Sequence, residues 1–225
     1  MENNSILDKK TVSYPNRIPE AVLFDWDNTL VDTWQVCFDS FNIALQAIGR
    51  TPITPEEFWN QPHLSARDSH HRFGDGHAEW ERIFYDNIHK CHLEGLSAFE
   101  GAETLLKKLK GREICVGVVS NKRGVILRKE VAHLGWGDYF HAVIGSQDAE
   151  QDKPSHLPVL AALSTTMFCP KSHDVWFVGD SIVDVQCARA SGCIPFVVGN
   201  GNAALEEDVI HIKDCQGITN LIESL

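Results

Sequence analysis

The sequence lacks a surplus of positive charge, and this narrows the range of its partners. Its 225 residues include 20 lysines and arginines against 31 aspartates and glutamates, for a formal net charge of −11 at pH 7. A chain without a basic patch is a poor candidate for binding nucleic acid or an anionic membrane. Any phosphate site must therefore be built locally, from a metal ion, a lysine and backbone amides.

Paired cysteines and long apolar segments are also missing. The seven cysteines are odd in number and form no CxxC pair, which indicates a reducing compartment rather than a disulfide framework. Residues 1–20 are polar and lack the apolar region of a signal peptide, and no apolar stretch is long enough to cross a bilayer. We expect a cytoplasmic protein without a membrane partner.

Five short apolar runs predict a parallel β-sheet that is buried on both faces, because each run is nearly continuous rather than alternating. Helix-length segments separate most of them, so the alternation predicts an α/β, doubly wound (Rossmann-like) domain. The runs are residues 21–24, 114–119, 142–144, 175–178 and 194–198.

Residues 31–98 interrupt this alternation and predict a small helical module inserted after the first strand. Residues 34–48 carry apolar side chains at helical spacing, Thr54 opens a capping box with Pro55 at the first helical position, and residues 79–93 predict a further helix. The predicted division is an N-terminal extension (1–20), an α/β core (21–30 and 99–225) and the helical module (31–98).

Polar side chains follow four of the five predicted strands. In open α/β sheets, ligands bind beyond the carboxyl ends of the strands. This pattern therefore predicts a binding site at one edge of the sheet. The residues in question are Asp25 and Asp27, Ser120 and Asn121, Ser146 and Asp148, and Asp180, Ser181 and Asp184.

Asp25 and Asp27 lie two residues apart, so their carboxylates face the same side of an extended chain. One carboxylate can attack phosphorus, and a second one, kept protonated by its neighbour's charge, can protonate a leaving alkoxide. A divalent cation would relieve their repulsion. The alternative is a pair that only caps a turn.

For each of the other candidate residues, the sequence permits both a binding role and a purely structural role. Ser120 and Asn121 precede a predicted helix, where they could bind phosphate, although Ser120 is also a typical N-cap. Lys153 precedes a proline in a loop and could either neutralise phosphoryl charge or be solvated. Asp180 and Asp184 could bind Mg²⁺ from one face of a helix start or cap a strand-to-helix turn.

Four short segments form an ordered set of motifs that is spread over the chain from about residue 20 onward. They are Phe24-Asp25-Trp26-Asp27-Asn28-Thr29-Leu30, Ser120-Asn121-Lys122, Lys153-Pro154 and Gly179-Asp180-Ser181-Ile182-Val183-Asp184. This set resembles the motifs of the haloacid dehalogenase-like hydrolase superfamily, and residues 30–33 and 99–102 are similar to its phosphoglycolate phosphatase-like branch. Trp26, Asn28 and Ser155 depart from the usual pattern without removing a catalytic group.

The resemblance implies a Mg²⁺-dependent phosphatase that hydrolyses a small phosphate monoester, phosphoglycolate-like or a sugar phosphate, through an aspartyl phosphate. It implies that Asp25 is the nucleophile and a metal ligand. It also implies that Asp27 is the general acid and base and binds the metal through its backbone carbonyl. The resemblance further implies that residues 31–98 form a cap that closes over the substrate and excludes water.

The resemblance also implies roles for the later motifs. Ser120 and Asn121 would hold the phosphoryl oxygens, and Lys153 would neutralise the charge of the nucleophile and of the phosphoryl group. Asp180 would bind the metal, and Asp184 would support the site directly or through water. The implied partner is a small phosphorylated metabolite, and no oligomeric state is predicted.

Other functions share these motifs. A phosphomutase of the β-phosphoglucomutase type would use the same Asp25 and Asp27 but return the phosphoryl group to a sugar. A phosphonatase would need a lysine from residues 31–98, where Lys90 is the sole one. From a different class, a phospho-accepting receiver-type switch or binding protein would keep its aspartyl phosphate for minutes, whereas an enzyme would turn it over quickly.

Residues 31–98 also contain charged and aromatic side chains that the motifs do not explain. The six histidines there, His63, His70, His71, His77, His89 and His92, lack the spacing of a zinc site, so no metal is predicted among them. Arg67 and Arg72 are better candidates for substrate contact, and the aromatic residues are interpreted as packing.

Overall fold

Five of the strands form where the apolar runs predict them. The computed structural model describes residues 14–61, 63–199 and 209–225, apart from the side chains of His70 and His71. In chain order the strands are β1 (Ala21–Phe24), β2 (Val31–Asp32), β3 (Ser97–Ala98), β4 (Cys115–Arg123), β5 (Ala142–Ser146), β6 (Val175–Gly179), β7 (Ile194–Val198) and β8 (Ile210–Ile212).

Helices connect most of these strands. They are α1 (Trp34–Ala47), α2 (Pro55–Trp59), α3 (His70–Phe73), α4 (His77–Cys91), α5 (Ala102–Gly111), α6 (Gly124–His133), α7 (Leu157–Leu163), α8 (Ile182–Ser191) and α9 (Cys215–Ser224). Among the described residues, no helix combines the length and the apolar character needed to cross a membrane.

Six of the strands form one parallel sheet in the order β5-β4-β1-β6-β7-β8. The chain builds outward from β1 through β4 to β5, and then crosses to β6 on the other side of β1. The strand order therefore reverses beside β1, and this is where open α/β sheets place their ligands. The predicted α/β doubly wound fold with a helical insertion is confirmed.

The core lies on both faces of the sheet. Along β1, Ala21 and Leu23 pack into one apolar cluster, and Val22 and Phe24 pack into another on the opposite face. None of these four side chains is more than 1% exposed. Burial on both faces explains why the apolar run is continuous instead of alternating with polar residues.

Two details of the core differ from the sequence prediction. β4 continues past the predicted residues 114–119 to Arg123, and its register against β5 shifts between Val119 and Arg123. Ser120 consequently lies within the strand, and Arg123, not Ser120, is the N-cap of α6. The structure also adds β2, β3, β8, α7 and α9, some of which are too short to leave a periodic pattern in the sequence.

The helices α1 to α4, which we call the helical insertion, lie between β2 and β3. These two strands pair antiparallel through Val31 with Ala98 and Asp32 with Ser97. The predicted capping box at Thr54 is present and begins α2. Residues 1–13 of the predicted N-terminal extension lie outside the described residues.

Candidate active site

Asp25 and Asp180 are brought together by the two central strands of the sheet. β1 and β6 pair in register from Ala21 with Val175 to Phe24 with Val178. The backbone N–H of Asp25 continues this pairing by donating to Val178 O at 2.8 Å. Since each aspartate comes at the end of its strand, both carboxylates lie at the point where the strand order reverses.

Asp184 joins them from the first turn of α8. A Cβ atom at Gly179 would come within 2.4 Å of Asp184 Cγ, so glycine allows the helix to start this close to the strand. One carboxylate oxygen from each of Asp25, Asp180 and Asp184 lies within 4.8 Å of the others, and all three residues are buried. Among the described residues, this is the group of three with the geometry for binding a metal ion.

Lys153 supplies the positive charge that faces this cluster. Its Nζ lies 2.7 Å from Asp25 Oδ1 and 2.7 Å from Asp184 Oδ1, and its side chain is 3% exposed. Three carboxylates against one ammonium leave a formal excess of two negative charges when all are ionised. Buried charge of this kind needs a counter-charge, so the residues fit a divalent cation.

The raised pKa values of Asp25 and Asp180 reflect both their burial and the excess of negative charge in the cluster. Burial raises the pKa of Asp25 to about 6 against the opposing charge of Lys153, and the carboxylates of Asp184 and Asp27 add to the rise. Burial also raises the pKa of Asp180 well above its ordinary value, together with the charges of Asp184 and Asp25. A divalent cation between them would favour their ionised forms.

The three aspartates differ in how many of their oxygens are engaged. Both oxygens of Asp184 are used, because Oδ1 accepts from Lys153 and Oδ2 accepts from the N–H and Oγ of Ser181 at 3.0 and 2.6 Å. In the described part of the chain, no side chain forms a hydrogen bond with the carboxylate of Asp180. This difference fits Asp180 as a direct ligand and Asp184 as a supporting residue.

Ser120 and Asn121 lie beside the cluster and line the same cavity as Asp25. The side chain of Asn121, however, is engaged with the backbone. Its Nδ2 donates to the carbonyls of His63 at 3.2 Å and Lys153 at 3.1 Å, and its Oδ1 accepts from the N–H of Lys153 at 3.0 Å. The side chain of Asn121 thus fixes the position of Lys153.

The loop after β1 explains two of the departures noted in the sequence. Asn28 has φ +58°, in the left-handed region that asparagine tolerates better than most other residues. Trp26 points away from the two aspartates into the core, where it is fully buried and packs edge-on against Trp136 at 5.8 Å between ring centroids.

Asp27 takes part in contacts that the sequence patterns did not reveal. Its Oδ1 accepts hydrogen bonds from Lys122 Nζ and from Thr33 Oγ1. Lys122 also contacts Glu130, which is fully buried on α6. Lys122 belongs to a recognised motif and could have drawn attention, but nothing local to Glu130 marks it as its partner.

A cavity separates this edge of the sheet from the helical insertion. The insertion contributes mainly aromatic and aliphatic side chains to its wall, together with a few polar ones. Burial lowers the pKa of His63, which favours a neutral imidazole at this wall. The lining side chains from the insertion include Phe41, Phe58, His63, Arg72, Trp80, Phe84 and Tyr85.

The two candidate arginines of the insertion have different surroundings. Arg67 pairs with Asp152 at 2.7 Å and so connects the insertion to a loop of the core. Arg72 lines the cavity, with its guanidinium 5.7 Å from the ring centroid of Phe41, and no carboxylate of the described residues pairs with it.

Two strand-end residues named in the sequence analysis lie away from the cluster. Ser146 donates to Asp152 at 2.7 Å, and Asp148 pairs with Arg128 at 2.5 Å while accepting from the N–H of Gly145. Neither lines the cavity, so the third strand end contributes structural contacts rather than site residues.

The fold and the site together define an α/β protein with an acidic centre at the point where the strand order reverses. A family model described as haloacid dehalogenase-like hydrolase matches residues 22–198. The chain belongs to this family, and the resemblance stated from its motifs is confirmed, as is its phosphoglycolate phosphatase-like branch.

Individual relatives agree with this assignment. A phosphoglycolate phosphatase of Chromobacterium violaceum is 29% identical over 195 residues, which are 82% of this chain and 86% of the relative. One from Xylella fastidiosa is 30% identical over 79% of each chain. The crystal structure of a HAD-superfamily hydrolase from Ehrlichia chaffeensis is 31% identical, covers 93% of this chain and 98% of its own, and has a TM-score of 0.65. The predicted enzyme class, a phosphatase, is confirmed.

Proposed function

We propose that the protein hydrolyses a small phosphate monoester in a Mg²⁺-dependent reaction that passes through an aspartyl phosphate on Asp25. The observation that carries the proposal is the pairing of β1 with β6, which brings Asp25 and Asp180 together beside a cavity, with Lys153 in an ion pair with Asp25. A buried nucleophile with an adjacent cation is what phosphoryl transfer by a carboxylate requires.

In the first half-reaction, a carboxylate oxygen of Asp25 attacks phosphorus, and the bond between phosphorus and the ester oxygen breaks. Asp27 gives its proton to the departing alkoxide, which leaves as an alcohol. Lys153 offsets the negative charges of the Asp25 carboxylate and of the phosphoryl group, which repel each other before the attack. Ser120 Oγ and the backbone N–H of Asn121 bind phosphoryl oxygens.

In the second half-reaction, Asp27 takes a proton from water, and the water oxygen attacks the phosphorus of the aspartyl phosphate. The bond between phosphorus and the Asp25 oxygen breaks, which releases inorganic phosphate and restores the carboxylate. The proton gained by Asp27 replaces the one that it gave to the alcohol, so the cycle is balanced.

Mg²⁺ suits this site because it prefers oxygen ligands and keeps several waters. Asp25, Asp180 and the backbone carbonyl of Asp27 would hold it, with Asp184 in support. When bound, it supplies positive charge to the phosphoryl group.

For the substrate, we propose a small phosphorylated metabolite, phosphoglycolate-like or a sugar phosphate. The names of the relatives support a phosphoglycolate-like compound, and so does Arg72, a guanidinium at the cavity wall that could bind a carboxylate. We further propose that residues 31–98 act as a cap over this cavity. The seven unpaired cysteines support a cytoplasmic location.

The test measures inorganic phosphate released from a panel of small phosphate esters, with Mg²⁺ and with excess chelator. We expect release with Mg²⁺, loss with chelator and recovery when Mg²⁺ is restored. Full activity in excess chelator would contradict the metal assignment. Interconversion of phosphosugars without phosphate release would identify a mutase instead.

The lifetime of the phosphoenzyme separates an enzyme from a switch. Rapid quenching during turnover should trap an acid-stable, base-labile phosphoryl group on Asp25 that disappears within seconds once substrate is removed. Persistence for minutes would indicate a phospho-accepting switch.

A further inference from the structure

A buried ion network surrounds the carboxylate of Asp27, and the half-reactions above do not use it. Lys122 Nζ donates to Asp27 Oδ1 at 2.6 Å and to the two oxygens of Glu130 at 2.9 and 2.7 Å. Lys122 is 7% exposed and Glu130 is 0% exposed. The three contacts use all three donors of the ammonium group, so its position is closely defined.

Glu130 is itself held from two further directions. The indole Nε1 of Trp26 donates to Glu130 Oε2 at 2.7 Å, and Nδ1 of His92 lies 3.0 Å from Oε1. Trp26 is fully buried, and His92 directly follows α4, so both the core and the insertion contribute. A buried carboxylate with these partners has little freedom to move, and it gives Lys122 a fixed support.

The two oxygens of Asp27 consequently differ. Oδ1 is held by Lys122 and by Thr33, the residue that precedes α1. Oδ2 has no hydrogen-bond partner in the described part of the chain, and Asp27 lines the cavity. One oxygen is therefore fixed, while the other is available to carry a proton.

We propose that Lys122 is a positioning residue for the acid/base step, an inference that rests on the proposed role of Asp27. Lys122 holds Oδ1, and Glu130 holds Lys122, so Oδ2 keeps a constant place for proton transfer. Proton transfer needs an approach of about 2.6–3.2 Å, and a displacement of about 1 Å can cost roughly 10²-fold in rate.

A competing role for Lys122 is direct contact with the phosphoryl group, because Lys122 also lines the cavity. The two roles predict different dependence on the leaving group. A residue that acts through Asp27 matters most when the alkoxide needs a proton. A residue that binds the phosphoryl group matters equally for every ester.

The test measures the rate of phosphoenzyme formation by rapid quench in Lys122→Met, which keeps the length of the side chain and removes its charge. With ethyl phosphate, a poor leaving group, we expect a loss of about 10²-fold. With 4-nitrophenyl phosphate we expect a loss below about 5-fold, since nitrophenolate departs without general acid. When Asp27 is already replaced by Asn, adding Lys122→Met should reduce the rate of phosphoenzyme formation little further. The rate losses of two coupled residues are not additive.

Thermal melting would show whether Lys122→Met is folded, and two further variants keep the inference testable if it is not. Lys122→Arg keeps the charge and several donors and should recover most of the rate. Trp26→Phe keeps the buried ring and loses the donor to Glu130, so it should show the same leaving-group pattern at about 3–10-fold. If Lys122→Met does not fold, Trp26→Phe carries the test.

Equal slowing of both esters by Lys122→Met, or an undiminished loss in the Asp27→Asn background, would overturn the inference and assign Lys122 to the phosphoryl group. For Trp26→Phe, equal slowing of both esters would likewise overturn it. If Asp27→Asn alone shows no dependence on the leaving group, the proposed acid role of Asp27 fails, and the inference fails with it.

Discussion

The α/β core and the helical insertion meet at one cavity but contribute different kinds of side chain to it. The core supplies charged groups at the ends of buried strands, with Asp25 and Asp180 as its central pair. The insertion supplies mostly aromatic rings, with Arg72 as a cation that no described carboxylate pairs with. This difference agrees with the function proposed above, in which the core performs the chemistry and the insertion selects the substrate.

The two regions also hold their side chains in place by different means. In the core, Asp25 and Asp180 directly follow strands that pair with a neighbour on both sides, and Lys153 contacts Asp25 and Asp184 at once. In the insertion, ring-to-ring contacts such as Phe73 with Trp80, 4.3 Å between centroids, form a small apolar cluster. Substitutions in the two regions should therefore have different effects on kinetics.

The largest effect is expected in the core. Asp25→Asn should reduce phosphate release below detection, because the amide cannot form the aspartyl phosphate. The matched control is Asp39→Asn, an exposed aspartate of the insertion whose partner is Gln35. It should leave kcat unchanged. Hydrolysis at the wild-type rate by Asp25→Asn would contradict this prediction, since Asp25 would then not be the nucleophile.

The second prediction concerns metal and stability. Mg²⁺ should raise the melting temperature of the wild type, because a ligand at about 100 times its Kd stabilises the folded state by about 2.7 kcal/mol. Asp180→Asn should remove most of this rise. Asp32→Asn, an exposed residue of β2, should keep it. An undiminished rise in the melting temperature of Asp180→Asn would show that the metal binds elsewhere.

A further prediction concerns a different cation. Ca²⁺ should inhibit turnover, because its looser coordination can hold the nucleophile unproductively.

The third prediction tests whether the insertion determines substrate specificity. Arg72→Ala should raise KM for phosphoglycolate about 10-fold, equivalent to about 1.4 kcal/mol, with little change in kcat. Ethyl phosphate, which lacks the carboxylate, should be unaffected. Arg82→Ala is the control, since Arg82 is exposed and pairs with Asp86. A fall in kcat for both esters would show that the insertion takes part in the chemistry.

The smallest effect is expected from a substitution that lowers the stability of the insertion without touching the site. Thr54→Ala removes the side-chain cap that accepts from the N–H of Glu57 at 3.1 Å. It should lower the free energy of unfolding by about 1 kcal/mol in a urea titration. kcat should not change, because α2 holds none of the charged groups at the sheet edge. A loss of turnover greater than the loss of stability would contradict this separation.

The sequence was most informative where function depends on residues that directly follow a strand. Asp25 and Asp180 could be identified because a short apolar run precedes each one, and buried parallel strands bring their carboxyl ends to one edge. Their neighbour Lys153 was found by its motif, and the structure places it between two carboxylates. The catalytic roles of these residues stay proposals until they are tested.

The sequence was less informative where a residue's task depends on partners far along the chain. Asn121 was expected at the phosphoryl group, yet its side chain binds the backbone of Lys153 and His63. Ser120 was equally expected as a helix cap, yet β4 runs on past it to Arg123. No local pattern distinguishes these outcomes, because neighbouring strands and loops determine which hydrogen-bonding groups remain free.

By itself, the sequence determined the class of fold, the presence of an inserted helical segment and the acidic strand ends, because burial and local spacing leave their pattern in consecutive residues. Only the tertiary structure decided what surrounds Asp27. Lys122 is 95 positions from Asp27 along the chain, and Glu130, on another element, has no feature that predicts its contacts with Trp26 and His92. Such contacts arise when separate elements pack together, so they depend on the whole fold and not on any one segment.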